Sequence, residues 1–341
     1  MKSLTVAIPT LDGFPHLEEA VSSVLSQMAS SSGCSVEMVI ANNGSKPETS
    51  NYLASLTKNH NVTVLDFDQN LGFDRNLWRL LSHVKGDFVW FLGDDDILLP
   101  GTIGHMCKVL NSNTNPQVLL CPPSFFTDNS SQREMPPFVP KKAVFDDGVT
   151  FIKQTLWSSS ALSSLCWRTD SLRNLEIDPA TASNWIHVMA LMKLSSHPGE
   201  FIVLEEDLVA VRVGNQRWAT HFGNQFSVGI DHITVIRDSF DSSVDKSIYE
   251  AFLLSRFEGN WISILVGVGP MPMLDRHHLA RRMKTHFSRF PRFYFLDLPM
   301  LYSPRVIRTL IYQCGSFFRK RQSQIYLWRK RMAAPENGPR L

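Results

Sequence analysis

The first 125 residues alternate short apolar runs with helical periodicity, and this alternation constrains the fold more than any other feature of the chain. Strands are predicted at four apolar runs, at residues 4–8, 36–41, 62–67 and 88–92. Helices are predicted after each of them, at residues 17–28, from Pro47, after Gly72 and at 101–110. Such alternation with continuously apolar strands indicates an α/β fold with a mostly parallel sheet flanked by helices.

Polar clusters follow three of these predicted strands directly. They are Pro9-Thr10-Leu11-Asp12, Asn42-Asn43-Gly44-Ser45 and Gly93-Asp94-Asp95-Asp96. In a parallel sheet the carboxyl ends of the strands meet at one edge, where ligands bind. The sequence therefore predicts that the three clusters converge on one site.

The third cluster holds three consecutive carboxylates, whose mutual repulsion is costly unless solvent or a cation offsets it. The first strand is not followed by G-x-G-x-x-G, and the sequence contains no G-x-x-x-x-G-K-[ST] loop. A dinucleotide-binding Rossmann unit and a P-loop are thereby excluded. Carboxylates at a strand end suit Mg²⁺ or Mn²⁺, which takes one or two of them and completes its shell with phosphate oxygens and water.

The middle of the chain is less regular than the first part. Residues 122–140 are rich in Pro, Ser and other polar residues, which predicts a mobile loop over the site. A helix is predicted at residues 185–194, and strand is predicted at residues 201–213 around the acidic turn at 205–207. From residue 248 the sequence becomes helical, aromatic and increasingly basic.

Four motifs, in this order, resemble those of the family 2 glycosyltransferases, which have the GT-A fold. They are VAIPTLDG for the first strand and nucleotide loop, VIANNGSKPET for the second strand, QNLGFDRNLWRLL for the Asn-x-Gly segment, and FLGDDDILLPG for the metal-binding D-x-D. The resemblance covers residues 4–213. It is closest to bacterial transferases of the abequosyltransferase type, which act in O-antigen assembly and share the G-[SD]-D-D strand ending.

The resemblance implies a division of the chain into two domains. A GT-A glycosyltransferase domain at residues 1–215 would have a nucleotide half at 1–125 and an acceptor half at 126–215. A helical, aromatic and basic region at residues 216–341 would follow it and associate with a membrane.

The resemblance implies that a nucleoside-diphosphate sugar is the donor, held at the edge where the clusters converge. The residues expected to bind it are Pro9, Thr10, Asp12, Asn42, Asn70, Gly72, Arg75, Asn76, Asp94 and Asp95. Asn42 stands where the family has a base-reading Asp, and its amide would suit cytosine as well as uracil. Arg75 would neutralise the diphosphate, with a solvated helix arginine as the equal alternative.

The triple aspartate leaves the metal register open. In the family's D-x-D-D form the first Asp falls on Gly93, so that Asp95 and Asp96 are the expected ligands of Mg²⁺ or Mn²⁺, with Asp96 ahead of Asp95. The alternative pair is Asp94 and Asp96. A solvated turn that binds no metal is the remaining interpretation.

The family's reaction is an attack by an acceptor hydroxyl on the anomeric carbon, with inversion, assisted by a general base and a metal. The base is usually an Asp in a Glu-Asp-Trp-like stretch, and the counterpart here is Ser183-Asn184-Trp185, which lacks an acid. The candidates are therefore Asn184 itself, His187 on the same predicted helical face, and Asp178 in the preceding loop. A structural or sugar-binding role for His187 is the competing interpretation.

The C-terminal part concentrates the positive charge of a chain whose net charge is only +2. Residues 276–341 carry 15 Lys or Arg against two acids, a net of +13, which leaves −11 on the rest. Aromatic and basic residues interleave at 286–305, and basic triplets follow at 319–321 and 329–331. This mixture suits the headgroup layer of an anionic membrane. Nucleic acid, bound by stacking, is a partner that we favour less, and a solvated helix pair is the third interpretation.

We expect a cytoplasmic protein that is peripheral on the cytosolic face of the inner or plasma membrane. The five cysteines are scattered, without a C-x-x-C pair, and the N-terminus shows no signal-peptide pattern. The acceptor would then be a glycan or a polyprenyl-diphosphate-linked saccharide at the membrane.

Three functions follow from these patterns. The leading one is a metal-dependent, inverting glycosyltransferase of surface polysaccharide biosynthesis. The alternative is a catalytically weak sugar-nucleotide-binding or scaffold protein with the same fold, which the missing acidic base favours. The third is a nucleic-acid binder that acts through the basic tail.

Overall fold

The computed structural model describes the chain at residues 1–28, 33–58, 61–112, 115–135, 142–214, 225–239, 247–258, 273–304, 306–307 and 310. The basic triplets at 319–321 and 329–331 lie outside these residues.

The first part of the chain contains the predicted alternation of strands and helices. Its elements are β1 (Ser3–Thr10), α1 (His16–Met28), β2 (Ser35–Asn43), α2 (Pro47–Leu56), β3 (Val62–Phe67), α3 (Phe73–Leu81), β4 (Phe88–Phe91), β5 (Ile97–Leu98) and α4 (Thr102–Leu110). Each of the four predicted strands and four predicted helices is confirmed, with ends that shift by at most a few residues.

The second part adds shorter elements. They are β6 (Val118–Leu120), β7 (Ser124–Phe126), β8 (Ala143–Phe145), α5 (Gly148–Thr155), β9 (Leu165–Arg168), α6 (Thr169–Arg173), α7 (Ile186–Leu194), β10 (Phe201–Val203) and β11 (Val209–Arg212). The helix predicted at 185–194 is confirmed as α7, and the strands predicted around the acidic turn are β10 and β11. The prediction of a mobile loop across residues 122–140 is wrong at β7, because residues 124–126 pair with β11.

The larger sheet has eight strands in the order β3-β2-β1-β4-β9-β6-β10-β8. Strands β3, β2, β1 and β4 are parallel neighbours. Strand β9 then runs antiparallel to both β4 and β6. A second sheet of three strands, in the order β5-β11-β7, begins directly after the triple aspartate. The predicted mostly parallel α/β sheet is therefore confirmed.

The sheet is covered on both faces, as the continuously apolar strands predict. In β4, Val89 belongs to one hydrophobic cluster together with residues of α3 and α7. The adjacent Trp90 belongs to the opposite cluster together with residues of α1 and α4. Side chains alternate across a strand, so both faces of β4 are buried and its carboxyl end is held rigidly.

Two compact units are present. One comprises Met1–Arg217 and Asp231–Phe252, and the other comprises Trp218–Ile230 and Leu253–Leu341. The C-terminal part contains α8 (Gln225–Asp238), α9 (Ser247–Glu258), α10 (Met273–Phe287), a π-helical turn at Phe293–Asp297 and α11 (Leu298–Tyr302). The domain boundary at residue 215 stays a prediction. Among the described residues, no helix combines the length and apolarity needed to cross a bilayer.

Two glycines make a matched test of how tightly β1 and β4 are joined. A Cβ on Gly86 would lie 2.7 Å from the Thr5 amide nitrogen and 2.8 Å from the Phe88 carbonyl oxygen, both backbone atoms. Gly86→Ala is therefore expected to lower the free energy of unfolding by roughly 1–3 kcal/mol. Gly104 lies in α4 with no atom near its Cβ position, so Gly104→Ala is expected to raise that free energy by up to about 1 kcal/mol.

Urea denaturation of the two variants beside the wild type measures both effects. Equal effects of the two substitutions would contradict the close packing of Gly86 against β1.

Candidate active site

The carboxyl ends of β1, β2 and β4 meet at one edge of the sheet, as the three polar clusters predict. Thr10 at the end of β1 donates a hydrogen bond from Oγ1 to Asp94 Oδ2 at 2.6 Å. The Asp12 amide donates to Ser45 Oγ at 2.9 Å, which joins the loops after β1 and β2. The predicted convergence is confirmed.

Asp12 fixes the loop after β2 through its carboxylate. Its backbone is left-handed, with φ of 55°. The Lys46 amide donates to its Oδ1 at 2.7 Å, and Lys46 Nζ lies 3.5 Å from Oδ2. This places Asp12 beside Lys46 at the site edge. Contact of Asp12 with a nucleoside stays a prediction.

Asn42 is buried, and both ends of its amide are used within the protein. Its Nδ2 donates to Asp66 Oδ1 at 2.7 Å and to Ser50 Oγ at 3.2 Å, while its Oδ1 accepts from the Ser45 amide at 3.0 Å. A base-reading role for Asn42 stays a prediction, and these hydrogen bonds argue against it because they leave the amide little capacity for a ligand.

Asn43, which sequence analysis did not single out, ties β2 to the Asn-x-Gly segment. Its Nδ2 donates to Asn70 Oδ1 at 2.9 Å and to the Gly72 carbonyl at 3.3 Å, and its Oδ1 accepts from the Leu71 amide at 3.0 Å. Asn70 Oδ1 also accepts from the Gly72 amide at 2.8 Å. Asn43, Asn70 and Gly72 therefore shape one loop at the edge. The signal available in the sequence was the position of Asn43 at a strand end.

Helix α3 carries the other two residues predicted in this segment. Asn76 is buried and donates from Nδ2 to the Ala41 carbonyl at 3.2 Å. Its Oδ1 accepts no hydrogen bond from the residues that the structure describes. Arg75 is exposed at the start of α3. Its exposure is compatible with the predicted contact to a diphosphate and equally with a solvated helix arginine.

Asp96 is turned into the protein. It is 7% exposed, and its two carboxylate oxygens accept from Ser163 Oγ at 2.5 Å and from the Arg212 amide at 2.9 Å. Burial raises the pKa of Asp96 to about 6, although both hydrogen bonds oppose that shift. Metal binding by Asp96 stays a prediction, and its occupied oxygens argue against its place as the leading ligand.

The guanidinium of Arg212 is a component of the site that sequence analysis missed. Its side chain is only 3% exposed and donates to the Asp95 carbonyl at 3.1 Å, the Thr127 carbonyl at 2.9 Å and Glu19 Oε2 at 2.7 Å. Together with the Arg212 amide on Asp96, these bonds fix the backbone of the aspartate loop. A single Arg in a short strand carries no sequence signal of burial.

Asp94 and Asp95 are half-buried at the edge, with Asp94 beside Thr10. Among the residues that the structure describes, no group of three or more His, Cys, Asp or Glu could alone hold a metal. Two carboxylates nevertheless fit Mg²⁺ or Mn²⁺ when diphosphate oxygens and water supply the other ligands. The chemistry of Asp94 and Asp95 therefore fits the predicted cation, although this pair differs from both predicted registers, which share Asp96.

His187 is buried in α7 rather than open to a substrate. Its Nε2 lies 3.0 Å from the Ser160 carbonyl, so that nitrogen carries the proton, and its Nδ1 is buried without a hydrogen bond from the described residues. Its ring lies 5.7 Å from that of Trp185. Burial lowers the pKa of His187 to about 4. As a general base His187 stays a prediction, and its burial argues against it.

The other two candidate bases lie on the loop that leads into α7. Asp178 is exposed and caps a 3₁₀ turn, accepting from the Ala180 amide at 2.9 Å. Asn184 is left-handed, with φ of 70°, and its amide donates to Asp74 Oδ2 at 2.6 Å. Asp74 also accepts from the Ile186 amide at 3.0 Å, and burial raises its pKa to about 6. No sequence pattern marks Asp74 as part of the site.

Part of the chain is similar in sequence to known glycosyltransferases. Residues 5–159 match the model of Glycosyl transferase family 2. An uncharacterized glycosyltransferase of Rickettsia prowazekii is 27% identical over 117 residues, which is 34% of this chain and 35% of the relative. A GalNAc(5)-diNAcBac-PP-undecaprenol beta-1,3-glucosyltransferase of Campylobacter jejuni is 28% identical over 113 residues, covering 33% of this chain and 35% of the relative. The chain thus spans about a third of the length of these curated relatives.

Solved structures of glycosyltransferases share the fold. S. aureus TarS 1–349 in complex with UDP-GlcNAc has a TM-score of 0.62 at 15% identity, with 92% of each chain covered. The mannosyltransferase PcManGT from Pyrobaculum calidifontis, in complex with GDP-Man and Mn²⁺, has a TM-score of 0.54 at 13% identity, covering 90% of this chain and 86% of its own. The fold is therefore the GT-A fold.

The burial of His187 has a consequence for stability against pH. Its pKa falls from 6.5 to about 4 in the folded protein, so the unfolded chain binds more protons between these values. The stabilisation is present above pH 6.5 and is lost as the pH falls toward 4. His187→Gln keeps an Nε2 donor for Ser160 and does not titrate. We expect the wild type to lose roughly 2–3 kcal/mol more than this variant between pH 7 and pH 4.

Denaturant unfolding of both proteins at several pH values across that range measures the difference in their free energies of unfolding. The contributions of all other titrating groups cancel in this difference. Parallel losses in the two proteins would show that His187 is solvated in the folded state.

Proposed function

We propose that the chain is a glycosyltransferase that transfers a sugar from a nucleoside-diphosphate sugar to an acceptor hydroxyl, which its GT-A fold and the match of residues 5–159 to the family 2 model support. The observation that carries the proposal is the convergence of Thr10, Asp94 and the Asn43–Asn70 loop at the carboxyl edge of the parallel strands. Ligands bind at this edge in open α/β sheets.

We propose that the donor lies along this edge, with its diphosphate toward Arg75 and the aspartates. TarS and PcManGT are described in complexes with UDP-GlcNAc and GDP-Man, so neighbours of this fold hold nucleotide sugars. Pro9, Thr10 and Asp12 would form the nucleoside side of the site. The loop that Asn43, Asn70 and Gly72 shape would close it on the other side.

Asp94 and Asp95 would hold a divalent cation together with the donor diphosphate. PcManGT is described with Mn²⁺, which fits two carboxylates at this position. The cation would supply charge stabilisation to the departing nucleoside diphosphate. The residues of this chain that prepare the site are Thr10, which orients Asp94, and Arg212, which fixes the Asp95 backbone.

We propose that the reaction inverts the anomeric carbon, with the acceptor hydroxyl approaching the turn of Ser183 and Asn184. A second candidate function is a catalytically weak sugar-nucleotide-binding or scaffold protein. It is favoured by the lack of an acid in that turn and by the buried, weakly basic His187. Product formation separates these two functions.

The acceptor that we propose is a lipid-linked or free glycan of a surface polysaccharide, as in O-antigen assembly. Support comes from the Campylobacter jejuni relative, whose name describes a saccharide on undecaprenyl diphosphate. The Asp-Asp pattern after β4 resembles that of the abequosyltransferases, which act in O-antigen assembly. This resemblance also supports an acceptor of the surface-polysaccharide class.

We propose that the C-terminal region docks on the cytosolic face of an anionic membrane. In the turn at Phe293–Asp297, Phe295 is 85% exposed and the adjacent Tyr294 is also exposed. Arg289 stacks on the Phe290 ring at 4.8 Å in the same region. Exposed aromatic rings beside cations lower the free energy of binding at a headgroup layer. Nucleic acid remains the partner that we favour less.

A transfer assay tests the proposed activity. Purified protein, Mn²⁺, a lipid extract and a panel of nucleotide sugars should release nucleoside diphosphate and label the lipid. Asp94→Asn combined with Asp95→Asn is expected to lower kcat by about 100-fold or more, because the cation loses both carboxylates. The matched control is Glu205→Gln combined with Glu206→Gln, two carboxylates of the acidic turn, which should retain wild-type transfer.

Binding of a nucleotide sugar without any product would favour the catalytically weak binder. Unchanged transfer by the Asp94 and Asp95 variant would contradict the metal site.

Vesicle flotation tests the membrane proposal. Phe295→Ser combined with Tyr294→Ser should reduce flotation with phosphatidylglycerol vesicles severalfold, because each substitution removes an aromatic ring that would bury apolar surface in the membrane. Val144→Ser, which also removes an exposed apolar side chain, is the control and should float like the wild type. Equal flotation of all three proteins would contradict docking through this turn.

A further inference from the structure

We propose that Asp74 is a positioning residue that locks the acceptor-side turn at Ser183 and Asn184 onto helix α3 of the donor side. Its two carboxylate oxygens accept from the Asn184 amide at 2.6 Å and from the Ile186 amide at 3.0 Å. Asp74 is 7% exposed; its hydrogen bond with the Ile186 amide is buried, and that with the Asn184 amide is partly buried. The inference rests on the proposed glycosyltransferase function.

Helix α7 depends on this carboxylate because the residue at its N-cap position provides no side-chain cap. Trp185 stands at the N-cap position without a side-chain hydrogen bond to the helix. The preceding Ser183 and Asn184 are both left-handed, with φ of 49° and 70°, a conformation that residues other than Gly rarely adopt. The first amides of a helix need acceptors from elsewhere. Asp74 supplies an acceptor for the first of them, the Ile186 amide, and also binds the Asn184 amide before the helix.

The same turn of α3 reaches the donor side of the site. Arg75 is the next residue, and Asn76 donates from Nδ2 to the Ala41 carbonyl of β2 at 3.2 Å. Phe73 meets the His187 ring of α7 edge-on, with 6.1 Å between centroids. One short segment therefore connects β2, the predicted diphosphate contact and the start of α7.

This connection fixes the distance between donor and acceptor. The turn at Ser183 and Asn184 is where the resemblance places the general base, and this chain has no acid there. Asp74 holds that turn by its backbone, with both oxygens engaged, so it orients the acceptor side and does not itself contact the acceptor. A displacement of about 1 Å in such a turn is enough to lower a rate by 100-fold.

Substitution of Asp74 by Asn tests the inference, because Asn keeps one acceptor oxygen and loses the second. We expect Asp74→Asn to lower kcat for transfer by roughly tenfold or more, with the dissociation constant for the nucleotide sugar changed less than twofold. The control is Asp147→Asn. Asp147 also accepts from two amides at a helix start, those of Val149 at 3.1 Å and Thr150 at 2.8 Å, and its variant should keep the wild-type kcat.

A kcat for Asp74→Asn that equals the kcat for Asp147→Asn would overturn the inference, and so would a loss of donor binding that accounts for the whole effect. A wild type that binds no nucleotide sugar would instead refute the proposed function, so the two failures are distinguishable.

Hydrogen exchange in the wild type gives a second measurement that does not depend on a variant that folds. Addition of the nucleotide sugar should slow the exchange of the amides of Asn184 and Ile186 at least threefold, since Arg75 and Asp74 are adjacent. The amides of Val149 and Thr150 provide the control and should not change. Equal rates at Asn184 and Ile186 with and without the nucleotide sugar would overturn the inference.

Discussion

The buried carboxylate of Asp96 is the constraint on which the site depends. A buried carboxylate is costly, and here the cost is offset by hydrogen bonds from Ser163 and from the Arg212 amide. Gly93 is required beside it, because a Cβ there would lie 2.7 Å from Asp96 Oδ2. With Asp96 turned inward, the chain before it places Asp94 and Asp95 at the sheet edge.

Arg212 extends this constraint to three other parts of the chain. Its guanidinium joins the Asp95 carbonyl, the Thr127 carbonyl and the α1 carboxylate of Glu19. A planar guanidinium with five donors is suited to three acceptors that lie in different directions. The aspartate loop is thus held between the first helix and the second sheet, which supports the preorganisation that a transfer site needs.

At the end of β2, the side-chain amides of Asn42 and Asn43 hold the neighbouring loops in place. Asn42 donates to Asp66 and accepts from the Ser45 amide, while Asn43 donates to Asn70 and accepts from the Leu71 amide. A carboxylate at position 42 would face Asp66, and two like charges at that distance repel. The Asn at position 42, where the resemblance places an Asp, therefore suits the neighbouring strand β3.

The first four strands, their helices and the convergence of their polar ends were predictable from the sequence, because periodicity and parallel order are local signals. Strand β7 was not, since its three residues pair with β11, which lies far away in sequence. The roles of Arg212 and Asp74 were not predictable either, because their hydrogen-bond partners also lie far away in sequence. In the sequence, Asp74 reads as an acid in the first turn of α3 that interacts favourably with the dipole of that helix. Only the tertiary structure shows that it caps α7 instead.

The side-chain roles of Asp96 and His187 were open to error because burial is not a local property. Both residues have the chemistry of a site, and the structure places both in the interior. In each case the neighbours that bury the residue come from distant segments, Ser163 for Asp96 and Ser160 for His187.

The most direct test of this account is the position of the cation relative to the three aspartates. Crystals grown with Mn²⁺ and a nucleoside diphosphate would show the metal in an anomalous difference map. The account predicts a peak about 2.0–2.2 Å from an oxygen of Asp94 or Asp95, with Asp96 still bonded to Ser163 and Arg212. A metal bound by Asp96, with those two hydrogen bonds broken, would contradict it.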